Sequence, residues 1–192
     1  MSKIILASKS KVRKDILNSN GIYCDVVHSN VDEDIVKKSL SREQASPEII
    51  SKNLAELKAN KVSAKFTDKL VLGADSVIDL DGQVVSKPTD RSHALKILKL
   101  LNGKSHNLIS SVCISKDGRM IWNYTDKAKL FMKNFELVEL ERYLSKISDE
   151  SLYAYNVYQI EGLGKTLFSH IEGDSDTIMG LPVKKIKEYL NN

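Results

Sequence analysis

One acid lies inside a stretch that is otherwise apolar or small, Leu70-Val71-Leu72-Gly73-Ala74-Asp75-Ser76-Val77-Ile78. An ionised carboxylate in such a strand is costly unless a cation, a metal or a hydrogen-bond donor meets it. Gly73 and Ala74 leave room for another group to approach the backbone closely, which a strand built only for packing does not need. We therefore interpret Asp75 as the centre of an active site. The alternative is a carboxylate that caps a turn at the end of a strand.

A candidate anion site lies near the N-terminus, where a predicted strand, Ile4 to Ala7, leads through Ser8 and Ser10 into a predicted helix from Lys11 to Asn20. Free amides and hydroxyl groups converge at the start of a helix, so this loop can bind an anion. Arg13, one turn into the helix, can point at the same anion. The alternative is that Ser10 is a plain N-cap and Arg13 a surface residue.

Further charged candidates come from three other segments. Glu33 belongs to an acidic run, residues 31–34, which is typical of a solvated loop but can also hold a magnesium ion, because hard cations prefer carboxylate oxygens. Lys58 lies at the edge of the apolar face of a helix predicted from Ser46 to about Ala64, from which it can reach into a cleft. Lys87 precedes a proline, which restricts it to an extended backbone and directs its ammonium group towards Asp75.

The remaining pattern predicts the elements that must position these side chains. Residues 35–45 are polar and weakly patterned, and no element is predicted there. The other predicted elements are strands at 22–27, 83–86, 107–115, 119–132 and 167–171, and helices at 89–101, 136–147 and from 182 onwards. Asp-Gly pairs at 81–82 and 117–118 predict tight hairpins.

Composition limits the function classes. The chain has 192 residues, of which 42% are hydrophobic and 28% charged, as in an ordinary globular protein, and we expect residues 1–192 to form one domain. No apolar run approaches the roughly 18 to 20 residues of a membrane span, and the N-terminal apolar run is too short for a signal peptide, so we expect a cytoplasmic protein without a membrane partner.

The charge raises one rival function. A net charge of +4 and a pI of about 8.9 are compatible with a non-enzymatic nucleic-acid-binding module. The basic residues, however, are spread along the whole chain and aromatic residues make up only 6%. A solvated lysine surface explains this distribution better, and we expect no nucleic-acid partner.

Taken together, the segments resemble the Maf-like nucleotide pyrophosphatases. The matching segments follow one another in the family's order: Ile5-Leu6-Ala7-Ser8-Lys9-Ser10 with Arg13, Val31-Asp32-Glu33, Leu54-Ala55 with Lys58-Ala59, Gly73-Ala74-Asp75-Ser76, Lys87-Pro88, Gly103-Lys104-Ser105-His106, Ile160-Glu161-Gly162 and Gly180-Leu181-Pro182. No single motif is decisive, but their joint spacing is specific.

The resemblance implies an α/β fold with a twisted mixed β-sheet flanked by helices, and two lobes around a substrate cleft, often in a homodimer. It also implies hydrolysis of a nucleoside triphosphate between the α and β phosphates with a divalent metal cation, Mg²⁺, Mn²⁺ or Co²⁺. A regulatory protein that binds the nucleotide without turnover is the alternative. By position, the implied phosphate ligands are Ser8, Arg13, Lys58 and Lys87, and the implied metal or base carboxylates are Glu33 and Asp75.

The chain departs from the family members that cleave dTTP and UTP. Those members typically carry a proline and two arginines after the second loop serine and a glutamine before the late glycine, where this chain has Lys11, Val12, Arg13 and Glu161. Val12 and Glu161 resemble more closely the branch associated with 7-methylguanosine triphosphate. A carboxylate at Glu161 can accept hydrogen bonds from N1 and N2 of guanine, whereas a pyrimidine edge offers it one donor. The preferred base stays open.

Overall fold

A seven-stranded mixed sheet forms the centre of the computed structural model, which describes residues 4–191 apart from the side chains of residues 153–155. The strands are β1 Ile4–Leu6, β2 Cys24–Val26, β3 Val71–Leu80, β4 Gln83–Val85, β5 Ser105–Lys116, β6 Arg119–Met132 and β7 Phe168–Glu172. The helices are α1 Lys11–Ser19, α2 Glu33–Arg42, α3 Pro47–Ser63, α4 Arg91–Leu101, α5 Leu137–Ser145, α6 Asp149–Tyr155, α7 Ser175–Ile178 and α8 Val183–Asn191, with a 3₁₀ helix at Leu163–Leu167.

The strand order leaves a gap beside β3. The sheet runs β2-β1-β3-β5-β6-β7, with β1 parallel to β2 and β3, and the later pairs antiparallel. On the edge of β3 away from β5, β1 pairs with Val71 and Leu72, and β4 pairs with residues 78–80. No strand of the described chain pairs with residues 73–77 on that edge. Asp75 lies in the middle of this gap.

The core is divided between the two sides of the gap. One cluster of buried side chains joins β1, α1 and α8 to the start of β3, and a second joins α4, α5 and β6 to its end. Between them β3 and β5 carry buried polar residues, including Asp75, Ser110 and Ser111. This arrangement agrees with the α/β mixed sheet, flanking helices and two lobes implied by the resemblance.

Local sequence signals account for most element boundaries. Ser10 caps α1 by accepting a hydrogen bond from the Arg13 amide, and Ser46 caps α3 ahead of a first-turn proline, both as predicted. The segment predicted to lack an element is helical, because Asp32 caps α2 and two acids occupy its first turn, where they favour the helix dipole. Helix α6 was also not predicted. Within residues 4–191 no helix is long and apolar enough to cross a membrane.

Candidate active site

Asp75 meets the cation that its burial demands. It is 3% exposed, and its Oδ1 accepts a hydrogen bond of 2.8 Å from the ammonium group of Lys58, which is 5% exposed. The same ammonium group lies 2.8 Å from Oε1 of Glu33. One buried lysine therefore joins two carboxylates that are 42 positions apart in sequence.

The close approach at Gly73 explains how Lys58 reaches Asp75. A Cβ atom on Gly73 would lie 2.2 Å from the carbonyl oxygen of Ala55 and 2.8 Å from the amide nitrogen of Ala59, so helix α3 is in contact with the backbone of β3. The sequence predicted that a group approaches here, and the group is α3. Lys58 lies on the same helix, and Ser51 donates a hydrogen bond to the Asp75 carbonyl oxygen.

Glu33 is the first residue of α2, and the Asp32 cap fixes where that helix begins. Its side chain is 38% exposed. Burial raises the pKa of Glu33, but the charge and hydrogen bond of Lys58, with the charges of Lys37 and Lys87, lower it to about 2. Glu33 is consequently ionised at neutral pH and presents a carboxylate to the gap in the sheet.

Arg13 is half-buried, and its guanidinium group bonds to the protein interior instead of extending from the surface. Its guanidinium group donates to the carbonyl oxygens of Ala74 and Gly180, each at 3.0 Å, and to the hydroxyl of Ser76 at 3.1 Å. Arg13 thus satisfies the Ala74 carbonyl on the edge of β3 where no strand pairs. These bonds occupy most of its five donors, which leaves little capacity for direct contact with a bound anion.

The two loop serines support the helix start that the sequence predicted. Ser8 Oγ accepts a hydrogen bond of 3.1 Å from the Ser10 amide and is 3.5 Å from Nη1 of Arg13. Ser10 Oγ accepts from the Arg13 amide at 3.3 Å. Each hydroxyl keeps its own proton available to donate. Ser10 is therefore the N-cap of α1 and its hydroxyl can still donate to an anion, whereas the surface position for Arg13 is wrong.

A cavity of about 440 Å³ opens beside these groups, and we call it the cationic cavity. Its charged wall residues are Lys9, Lys11, Arg13, Lys58 and Lys87 with Glu33 and Glu150. Ser8 and Ser10 also line it. Five cationic side chains against two acids create a positive potential that favours a polyanion.

A second cavity, of about 180 Å³, adjoins the first, and we call it the apolar-walled cavity. Val77, Ile78, Val84 and Val85 from β3 and β4 form part of its wall. Tyr158 and Glu161 also line it. Three residues, Ser10, Arg13 and Lys87, line both cavities. The two spaces therefore form one cleft, with a highly charged end and an end at which apolar side chains are mixed with polar ones.

Lys87 lies where the sequence placed it. In the antiparallel pair Val85 is opposite Ile78, so the chain beyond β4 runs back along β3 towards Asp75. Burial lowers the pKa of Lys87; the charge of Glu33 opposes this shift, and the charges of Arg13 and Lys37 add to it. Lys87 lines both cavities, and it shares the wall of the cationic cavity with Glu33 and Lys58.

Glu161 lies at the solvent side of the apolar-walled cavity, where its side chain is exposed. An exposed carboxylate is screened by water, so any discrimination that it provides is weaker than that of a buried one.

Two residues near the site were missed. Lys37 lines the apolar-walled cavity and lies 3.5 Å from Glu33 Oε2, one helical turn away. The Asp32 cap signal would have predicted α2 and with it the i, i+4 relation of Glu33 and Lys37. Ser76, the partner of Arg13, had no signal beyond its place after Asp75.

Asp75 and Glu33 have the donor atoms that a divalent cation requires. Oδ2 of Asp75 is buried and has no hydrogen-bond partner, so it has an open lone pair. Within the described residues no group of three or more His, Cys, Asp or Glu is placed to hold a metal ion. Two carboxylates suit Mg²⁺ and similar hard ions, which keep several waters and are completed by phosphate oxygens of a substrate. The residues therefore fit such a cation together with a phosphate ligand.

The chain is similar to known proteins over nearly its whole length. A family model described as "Maf-like protein" matches residues 3–192. A protein of Pelagibacter ubique named nucleoside triphosphate pyrophosphatase is 70% identical over 190 residues, which cover 99% of this chain and 97% of that protein. A Rhizobium johnstonii protein named 7-methyl-GTP pyrophosphatase is 36% identical, and the match covers 97% and 96%. The solved structure of a HAM1 protein from Coxiella burnetii superposes with a TM-score of 0.55 at 12% identity, covering 100% and 99% of the two chains, which shows a shared fold.

Proposed function

We propose, because the chain belongs to the Maf-like protein family, that it hydrolyses a nucleoside triphosphate between the α and β phosphates and releases the monophosphate and pyrophosphate. The observation that carries the proposal is the cationic cavity beside two carboxylates that share Lys58. A triphosphate fits the charged end of the cleft, and a base fits the end lined by apolar side chains. The sequence prediction of this activity agrees with the names of the relatives.

Asp75 and Glu33 would hold a divalent cation in this proposal. When bound, such an ion neutralises phosphate charge and lowers the pKa of a coordinated water. Lys58 orients the two carboxylates, because both Asp75 Oδ1 and Glu33 Oε1 lie 2.8 Å from its ammonium group. Lys87 and the hydroxyl groups of Ser8 and Ser10 bind phosphate oxygens. Arg13 mainly fixes the edge of β3 and adds positive charge to the cavity.

The proton step is assigned to Asp75 Oδ2, the buried oxygen without a hydrogen-bond partner, which has a second lone pair besides the one that would face a cation. A water molecule attacks the α-phosphorus, its oxygen forms the new P–O bond, and one of its protons passes to Asp75 Oδ2. The bond between the α-phosphorus and the α–β bridging oxygen breaks, and its electron pair leaves with the bridging oxygen as part of pyrophosphate. The surrounding cations stabilise the charge that develops on the phosphate oxygens.

The activity test is a panel of triphosphates, GTP, 7-methylguanosine triphosphate, UTP, dTTP and ATP, each with Mg²⁺, Mn²⁺ or Co²⁺ and scored for pyrophosphate release. We expect stoichiometric pyrophosphate and monophosphate from at least one substrate, and no release after chelation. Release of orthophosphate instead would contradict cleavage between the α and β phosphates. Tight nucleotide binding without product would favour the regulatory alternative.

Asp75→Asn tests the central residue. The amide cannot take a proton and is a poor ligand for a hard cation, so we expect kcat to fall by about 10³-fold or more. Lys58 keeps Glu33 as a partner, and the mutant should remain folded, which circular dichroism checks. Near-normal turnover by a folded Asp75→Asn protein would remove Asp75 from the mechanism.

Glu161 provides the basis for a proposal on the base. Its carboxylate at the mouth of the apolar-walled cavity favours a ring that presents adjacent N–H donors, as guanine does, and disfavours the carbonyl edges of uracil and thymine. Since Glu161 is exposed, we expect Glu161→Gln to shift the ratio of kcat/KM values towards UTP and dTTP only about three- to tenfold. An unchanged ranking across the panel would show that Glu161 does not contact the base.

The remaining expectations stay proposals with direct tests. We propose that residues 1–192 unfold as one domain, which a single calorimetric transition would show. Sedimentation equilibrium tests the homodimer, fractionation tests the cytoplasmic location, and a salt series with duplex DNA tests the expected lack of nucleic-acid binding.

A further inference from the structure

Lys37 is a cationic residue at the boundary between the two cavities. It has no role in the proton transfer or in the phosphate contacts proposed for the other residues. It lies on α2 one turn after Glu33, and its Nζ is 3.5 Å from Glu33 Oε2. Its side chain is 20% exposed, whereas most lysines that only solvate a helix face are extended into water. The next residue, Lys38, is exposed and lines neither cavity.

The cavity walls define where Lys37 is relative to a bound nucleotide. Lys37 lines the apolar-walled cavity and not the cationic cavity, whereas its partner Glu33 lines the cationic cavity and not the other. The Lys37–Glu33 pair therefore spans the junction of the two spaces. In a nucleoside triphosphate, the group that joins the nucleoside to the other phosphates is the α-phosphate.

The pair with Glu33 does not exhaust the ammonium group. Lysine has three donors, and at 3.5 Å the contact with Glu33 is a long ion pair. Glu33 is already held at 2.8 Å by Lys58, so the structure does not need Lys37 to keep that carboxylate in place. Lys37 is free to donate to a ligand at the junction while remaining beside Glu33.

We propose that Lys37 binds a non-bridging oxygen of the α-phosphate, and that it therefore recognises the nucleoside monophosphate part of the substrate and not the pyrophosphate part. This inference rests on the proposed function. Lys9 and Lys11, which line the cationic cavity and not the apolar-walled one, bind the β and γ phosphates, which leave as pyrophosphate. Lys37 thus contributes to binding of the monophosphate product and not to binding of the pyrophosphate product.

The test measures binding of the two products separately by calorimetry. GMP, UMP and inorganic pyrophosphate are the probes, each with Mg²⁺, and the proteins are the wild type, Lys37→Met, Lys37→Arg and the matched control Lys38→Met. Loss of one charge-assisted hydrogen bond should weaken monophosphate binding by Lys37→Met roughly ten- to a hundredfold. Pyrophosphate binding should change by less than about threefold, as expected for a remote charge. Lys37→Arg should restore most of the monophosphate affinity, and Lys38→Met should match the wild type.

Two results would overturn the inference: monophosphate binding by Lys37→Met equal to that of the wild type, or equal losses for monophosphate and pyrophosphate. Because Lys37→Met could disturb α2, its melting temperature is measured, and Lys37→Gln repeats the comparison if the first variant does not fold. The wild-type measurements test the proposed function independently. A wild type that neither binds these products nor releases pyrophosphate would refute the function, whereas an active wild type with an indifferent Lys37 would refute only the α-phosphate assignment.

Discussion

Gly73→Ala is the sharpest test of how this fold builds its site, since one methyl group is placed directly against helix α3. The added Cβ would lie 2.2 Å from the Ala55 carbonyl oxygen and 2.8 Å from the Ala59 amide nitrogen. Both are backbone atoms, so no side-chain rotation relieves the contact. Helix α3 must move away from β3 by about 1 Å to restore ordinary van der Waals separation.

The displacement has two measurable consequences. Overpacking of this kind typically costs about 1 to 3 kcal/mol, and the backbone contact favours the upper end. For a chain of this length, 3 kcal/mol corresponds to a decrease in melting temperature of roughly 6 to 12 °C. Lys58 moves with α3, so its hydrogen bond of 2.8 Å to Asp75 lengthens. A misplacement of about 1 Å at a catalytic group can reduce kcat/KM about 100-fold.

Thermal unfolding and pyrophosphate release, the latter assayed well below the mutant's melting temperature, measure these effects separately. Gly162→Ala is the control for stability, because a Cβ there would meet nothing closer than 3.7 Å. A Gly73→Ala protein with wild-type stability would show that α3 does not contact β3 as described. A destabilised mutant with normal turnover would show that the position of Lys58 beside Asp75 is not needed for the reaction.

Two further predictions concern charge. Lys87→Ala should raise KM for the triphosphate at least tenfold, because a charged hydrogen bond to phosphate contributes more binding free energy than a screened surface charge. The control is Lys185→Ala, whose lysine pairs with Glu188 on α8, and it should change KM less than about twofold. Similar small effects of both substitutions would contradict the phosphate role of Lys87. Burial lowers the pKa of His106 from 6.5 to about 4, so the unfolded chain binds a proton more readily, and stability should fall as the pH decreases from 6.5 to 4. Chemical denaturation across this range should show a weaker pH dependence in His106→Phe than in the wild type, and equal slopes would contradict the shift.

Much of the charged end of the cleft could be predicted because its residues violate ordinary patterning. Asp75 in an apolar strand needs a cation, and Lys58 supplies it. Gly73 in the same strand indicates a close backbone approach, and α3 provides it. The sequence could not identify Lys58 as the shared partner of Asp75 and Glu33, since that contact depends on how α2 and α3 pack in three dimensions.

Other parts of the site could not be predicted because their signals describe local structure only. The serine loop predicts a helix start, but Arg13 bonds to Gly180, 167 positions later in the chain, and no local rule indicates that partner. The acids around Glu33 indicate a solvated loop or a magnesium site, but the Asp32 cap and the first-turn charges also fit a helix start. The exposure of Glu161, which Gly162 and Leu163 share, is not indicated by any local sequence signal.

The gap along β3 explains why the site is where it is. A strand edge without a partner exposes backbone groups that must be satisfied, and here the Ala74 carbonyl receives donors from Arg13 and from Lys58, at 3.0 and 3.4 Å. The cationic side chains of Arg13 and Lys58 therefore lie at this edge because the fold requires donors there, before any substrate is present. Their charge then has to be balanced, by Asp75 and Glu33 on one side and by a polyanion on the other. A continuous strand at this edge would satisfy the same backbone groups without cations, and it would also close the space that the triphosphate is proposed to occupy.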